Sequence, residues 1–177
     1  MADDRQEDAV AAAAADLYAV PAEEFTAART GRVTALRKAG DRASAAAVGR
    51  LPKPTVAASL LNRLVRERPD VVHGLLATGA ELRRAQEELD AGRLKELGAA
   101  RRQGVTDAVA AVTGLASATG RAPGAGALEE VAATLTAAVL DQAAGGAVAS
   151  GRLIRSLPAE GLEGAALDDL VALPGAA

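Results

Sequence analysis

The side chains best equipped for chemistry in this 177-residue chain lie between Arg50 and Arg68, RLPKPTVAASLLNRLVRER. Here a proline-bounded turn, an amphipathic period and concentrated positive charge coincide. On a helix opening after Thr55, Ser59, Asn62, Arg63 and Arg66 recur at i, i+3, i+4 and i+7 and share one face, opposite Val56, Leu60, Leu61 and Leu64. Asn and Arg on such a face can reach base edges in a nucleic-acid groove, while Lys53, Arg50 and Arg68 meet phosphates. The same face also fits an ordinary solvated surface on a capped, amphipathic core helix.

A second set of charged side chains is placed unusually. Helical projection from Phe25 puts Arg29 and Arg32 beside Leu36 on an apolar face, and Arg101 falls on the seam of a later helix. A guanidinium there must reach the rim, pair with an internal acid, or join its fellows in an anion pocket between helices. Catalysis is poorly served by comparison. His73 is the only histidine, so there is no His pair for a metal and no partner for a serine nucleophile. The absence of cysteine excludes disulfides, thiolate zinc sites and a cysteine nucleophile. In the acidic pairs Glu23–Glu24, Glu87–Glu88, Glu129–Glu130 and Asp168–Asp169, neighbours point about 100° apart on a helix, so no pair forms a carboxylate dyad by itself. The glycines from Gly120 to Gly126 lack the preceding strand and the following Lys-Ser/Thr of a phosphate loop. The expectation is a non-enzymatic chain with no cofactor.

These residues need helices to hold them, and the composition favours little else. The chain has 47 alanines and only two aromatic residues, Tyr18 and Phe25, so helix forms cheaply around a thin core of scattered Leu and Val. Pro21, with Glu23 and Glu24 behind it, predicts a helix running to Ala39 and stopped by Gly40. Asp41 caps a second helix to Arg50, the Leu51-Pro52-Lys53-Pro54 run forces an extended turn, and Thr55 caps a third helix ending before Pro69. Asp70 caps a fourth, in which Val72, Leu75, Gly79, Leu82, Gln86 and Leu89 recur along one seam. Beyond Gly92 the seam repeats in Leu94, Leu97, Arg101, Val105, Ala108, Val112 and Leu115, and the short connection predicts an antiparallel helical hairpin. TGRAPGAG reads as a linker, followed by a helix through Leu128, Val131, Leu135 and Val139 and a short one from Ala143 to Ser150.

The expected fold is all-α, an irregular bundle of five to seven helices. Residues 1–118 form an N-terminal bundle with the basic centre and the hairpin, 119–126 the linker, 127–155 C-terminal helices packing on the bundle, and 156–177 an irregular or partly disordered tail.

The strings DLYAVPAEEFTAART, ALRKAGDRASAAAV, LPKPTVAASLLNRLVRERPD and VAATLTAAVLDQAAGGAVASGRLIRSL, in that order, resemble an uncharacterised family of small actinobacterial helical proteins over residues 16–157. Leu17, Tyr18, Glu24 to Arg29 and Gly40 to Arg42 carry the likeness. The resemblance implies helical architecture and supplies no activity and no site. It also implies a packing role for Ala58-Ser59-Leu60. Residues 50–68 resemble locally the turn and recognition helix of MarR-type helix-turn-helix regulators, but Arg50 stands where a small residue is usual and Pro69-Asp70 leads to no β-wing.

The net charge of −3 conceals a partition of −6 over residues 1–28, +8 over 29–102 and −5 over 103–177. A basic centre between acidic ends attracts a polyanion or is neutralised by its own termini. The N-terminus is acidic, the wrong sign for a secretory leader, and no stretch is long and apolar enough to span a bilayer, so a soluble cytoplasmic protein without membrane contact is expected. The functional expectation is a helical protein-interaction or regulatory module that binds a protein partner or forms a homodimer. The alternative is nucleic-acid binding through the helix-turn-helix-like segment 41–68.

Overall fold

Alanine-rich stretches and well-placed caps produce eight helices and no strand among the described residues, which in this computed structural model are 2–118, 120, 122–157 and 169–173, with side chains from Gln6 onward. The helix beyond the predicted five to seven is α1 (Ala2–Leu17), where the Ala11–Ala15 run has the highest helix propensity available. The next helix, α2 (Phe25–Lys38), starts later than the Pro21 predicted. Pro21 leads a turn instead, closed by the Glu24 amide donating to the Pro21 carbonyl at 3.0 Å. At its far end the Gly40 amide bonds Arg37 and the Asp41 amide bonds Leu36, with Gly40 at φ +83°, a Schellman ending that only a residue tolerant of left-handed backbone closes without strain.

Of the predicted caps, those of Asp41 and Thr55 form, whereas Asp70 lies within the first turn of its helix, which starts at Pro69 and has no side-chain cap. The Asp41 carboxylate accepts from the Ser44 amide at 2.9 Å and opens α3 (Arg42–Gly49), and these bonds hold the Asp41 pKa below the usual carboxylate value. The Thr55 hydroxyl accepts from the Ala58 amide at 3.2 Å and opens α4 (Val56–Glu67). Pro69 itself occupies the first turn of α5 (Pro69–Glu87), which a three-residue turn joins to α6 (Ala91–Ala118). Of the predicted 119–126 linker, residues 119 and 121 lie outside the described ones, and α7 (Ala125–Leu140) begins inside its end. Asp141 caps α8 (Gln142–Ala149) through the Ala144 amide at 2.8 Å.

The helices bury two clusters. Helices α1 to α3 close around Val10, Leu17, Tyr18, Phe25, Val48 and Leu51, and α4 to α8 close around Leu61, Leu64, Val112, Val131 and Leu135. In the larger cluster α4 touches α5, α6, α7 and α8, and α5 and α7 likewise each touch every other helix of the cluster. Ala57 through Leu64 are buried without interruption, so the helix is covered all round and not along one stripe. Each fully buried Leu contributes about 1.5–3 kcal/mol from its apolar area.

Helices α5 and α6 run in opposite directions, since Arg93 near the start of α6 pairs with Glu81 near the end of α5, and Gly104 further along lies against Leu75. Gly79 lets α5 meet α7 at close range, because a Cβ there would sit 2.3 Å from the Val139 carbonyl oxygen.

Past α8 the backbone is irregular but not loose. Leu153 forms an antiparallel bridge with Val171, supported by Ile154 N–H to Leu170 O at 2.7 Å and Ala172 N–H to Arg152 O at 2.9 Å. Leu153, Leu157, Leu170 and Val171 enter the larger cluster, while Ala172 enters the smaller one. The described part of the tail expected to be irregular or partly disordered joins the two cores, and residues 158–168 and 174–177, including Asp168 of the last acidic pair, lie outside the described residues.

Candidate functional site

Every helix ends with backbone carbonyls that its own turns cannot satisfy. In this chain arginines from neighbouring elements satisfy several of them. Arg29 Nη1 donates to the Leu51 carbonyl just past α3, with its guanidinium 5.7 Å from the centroid of the Phe25 ring. Arg63 Nη2 donates to Leu115 O near the end of α6 at 3.3 Å, Arg66 Nη1 to Ala15 O near the end of α1 at 3.1 Å, and Arg83 Nη1 to Val139 O near the end of α7 at 3.1 Å. The Arg63, Arg66 and Arg83 bonds also set a cation at the negative end of a helix dipole. Tyr18 acts alongside them, its buried hydroxyl donating to Pro52 O at 2.7 Å while its ring packs 5.2 Å from that of Phe25.

This use of charge overturns the open reading face. Ser59, Asn62 and Arg63 are 3%, 2% and 8% exposed, and all three are bonded internally. Ser59 donates to Val20 O at 3.1 Å. Asn62 holds both polar groups of Leu153, donating to its carbonyl at 2.9 Å and accepting from its amide at 2.8 Å. Thr134 on α7 does the same for Leu157, so two side chains clamp the C-terminal segment across α4 and α7. Arg66 and Arg68 stay exposed but face acids, Asp16 at 3.8 Å and Asp70 at 3.0 Å. Only Arg50 and Lys53 of the seven are both exposed and outside such a pair. Periodicity places polar residues on a face; it does not say whether water or backbone lies over them.

The second arginine set does not assemble either. Arg29 serves a carbonyl, Arg32 lies 4.0 Å from the exposed Asp16, and Arg101 is half-buried on α6, which α2 does not touch. A shared anion pocket of the three is therefore corrected, since they sit in separate places; of the expected pairs to an acid of another helix, Arg32 has one in Asp16, at the exposed rim and not buried. His73 is exposed, and among the described residues no three His, Cys, Asp or Glu side chains gather as a metal site.

Among the described residues, two features stand out as open to a ligand or partner, beside a smaller cleft lined by Ala15, Val65 and Arg66 and the exposed Leu140. One is a cleft of about 500 Å³ where the turn before α2, the start of α4, the end of α6 and the segment Ala122–Gly124 meet. Val56, predicted to face the core, is instead 54% exposed on its wall. The other is the free end of the α5–α6 hairpin. Its joint is a second Schellman ending, with Leu89 N–H to Gln86 O at 3.2 Å and Asp90 N–H to Ala85 O at 3.0 Å, but the left-handed residue, φ +55°, is Leu89 and not glycine. That side chain is 86% exposed. Buried positions on α6 are Ala108, Val112 and Ala116, all in its C-terminal half, whereas Leu94 and Leu97 on the same seam are half-buried and belong to neither core. The signal for Leu89 lay in Glu-Leu-Asp-Ala-Gly, where glycine comes three residues too late to close the helix. Comparison with protein-family models, with curated proteins and with solved structures returns no match. No helix among the described residues is long and apolar enough to cross a membrane.

Proposed function

We propose that the protein is a non-enzymatic helical interaction module that self-associates through the free end of its α5–α6 hairpin. Leu89 carries this reading. A left-handed, non-glycine residue costs about 1–2 kcal/mol, and here that cost is borne by a leucine whose side chain lies in solvent in the isolated chain. Strain of this kind persists where an apolar contact repays it, and a partner surface supplies one.

The seam continues the argument. Leu94 and Leu97 extend the stripe beyond the point where the core stops, leaving an apolar edge that a second helix pair can cover. Exposed charges beside it carry both signs, Glu87, Glu88 and Glu96 with Lys95 and Arg102. A second copy packed in the opposite direction can match such a mixed edge to itself, whereas a partner of one sign would meet repulsion. The nucleic-acid alternative loses the observation that motivated it, because Ser59, Asn62 and Arg63 are turned inward.

A cross-linking experiment tests the location of the contact. The chain has no cysteine, so Leu94→Cys, Leu97→Cys and a control at exposed Thr30 each introduce one thiol. Mild oxidation should link the hairpin variants into dimers well before the Thr30→Cys control. Equal linking of all three would remove the hairpin from the account.

A further inference from the structure

The cleft at the start of α4 holds a combination that the hairpin proposal does not use. Arg63 forms part of its wall with a side chain only 9% exposed, and of its guanidinium nitrogens Nε serves Glu67 and Nη2 serves Leu115 O. Nη1 makes no hydrogen bond among the described residues. A guanidinium carries five N–H donors, and a largely buried one gains most from an acceptor that completes the set. Lys53, exposed, stands on the same cleft, and the first turn of the twelve-residue α4 adds the positive end of its dipole.

The rest of the lining limits what such an acceptor belongs to. Val56, Leu60, Ala116 and the rings of Pro21, Pro54 and Pro123 give the cleft a mostly apolar wall, so the ligand needs an apolar body. The mostly apolar wall disfavours the desolvation of a multiply charged phosphate and admits a single carboxylate. The volume of about 500 Å³ suits a small organic molecule. We infer that this cleft binds a small amphipathic monocarboxylate, its anionic end between Lys53 and Arg63 and its hydrocarbon against Val56 and Leu60.

The test uses the full chain labelled with nitrogen-15 and three probes: hexanoate, hexanol for the apolar body without the charge, and inorganic phosphate for the charge without the body. Hexanoate should shift the amide signals of Val56, Ala57 and Ala116 saturably, with a Kd of order 1 mM, and hexanol and phosphate should bind about tenfold more weakly. Lys53→Met changes an exposed side chain and should leave the fold intact. It should weaken hexanoate about fivefold or more while leaving hexanol unchanged. Arg63→Met should weaken hexanoate similarly if its spectrum stays dispersed, and Lys53→Met decides the matter if it does not. Absence of saturable shifts, phosphate binding as well as hexanoate, or hexanoate binding unaltered by Lys53→Met would each overturn the assignment.

Discussion

Asn62 shows how a residue with the chemistry of a reader becomes a fastener. Its amide has one donor group and one acceptor, and both are spent on the backbone of Leu153, ninety-one positions away. Replacing it with alanine leaves a buried N–H and a buried C=O without partners, at about 1–3 kcal/mol each. Asn62→Ala should therefore lower stability by about 3 kcal/mol, read as a shift in the urea midpoint. A change within 0.5 kcal/mol or so would mean that the clamp is not formed. Tyr18 gives a pH prediction. Burial raises its phenol pKa, while the Arg29 charge opposes the rise. The fold therefore holds the neutral form, so its contribution is complete below the ordinary tyrosine pKa of about 10 and is lost as pH climbs above it. Stability should decline above about pH 10, more steeply in the wild type than in Tyr18→Phe. Because Tyr18 is the only tyrosine, phenolate absorbance follows that group alone. At this scale the sequence places Asn62, Arg63 and Arg66 on one helix face but does not reveal what they bond. Side-chain type and spacing are local, but the carbonyls they serve, Leu153, Leu115 and Ala15, come from distant parts of the chain.

Elements were more legible than contacts. Gly40, Asp41 and Thr55 act through neighbours within a few positions, so their caps could be read directly from sequence. The start of α2 is ambiguous in sequence because Pro21 suits a turn as well as a first helical position, and α1 is hard to read because the buried Ala13 and Ala14 of its stripe are indistinguishable from the alanines around them. Gly79 marks the limit of seam arguments. It recurs with Val72 and Leu75 as a core position, yet its role is to be absent as a side chain where α5 meets the backbone of α7. Alanine would gain about 1 kcal/mol of helix propensity, but its Cβ would meet backbone at 2.3 Å, and overpacking costs about 1–3 kcal/mol or more. Gly79→Ala should destabilise by about 1–2 kcal/mol net, measured by thermal or urea unfolding. A gain in stability would show that α5 and α7 separate easily.

Across the whole molecule, part of the basic centre is spent on assembly. The arginines of the centre hold helix ends together, and the exposed Asp16 draws Arg32 and Arg66 to α1. The segments after α8 lock the α1–α3 cluster to the α4–α8 cluster, and the hairpin end carries the most exposed large apolar side chain among the described residues. Its Leu89 should therefore act oppositely on folding and on association. Leu89→Gly relieves the left-handed strain and should stabilise the fold by about 1 kcal/mol, while removing an apolar contact between copies. Sedimentation equilibrium of the wild type beside Leu89→Gly, across a range of concentrations, is the most direct test. The account predicts a reversible wild-type dimer and a variant whose dimerisation is weaker by about tenfold. A wild type that stays strictly monomeric, or a variant that dimerises equally well, would contradict it.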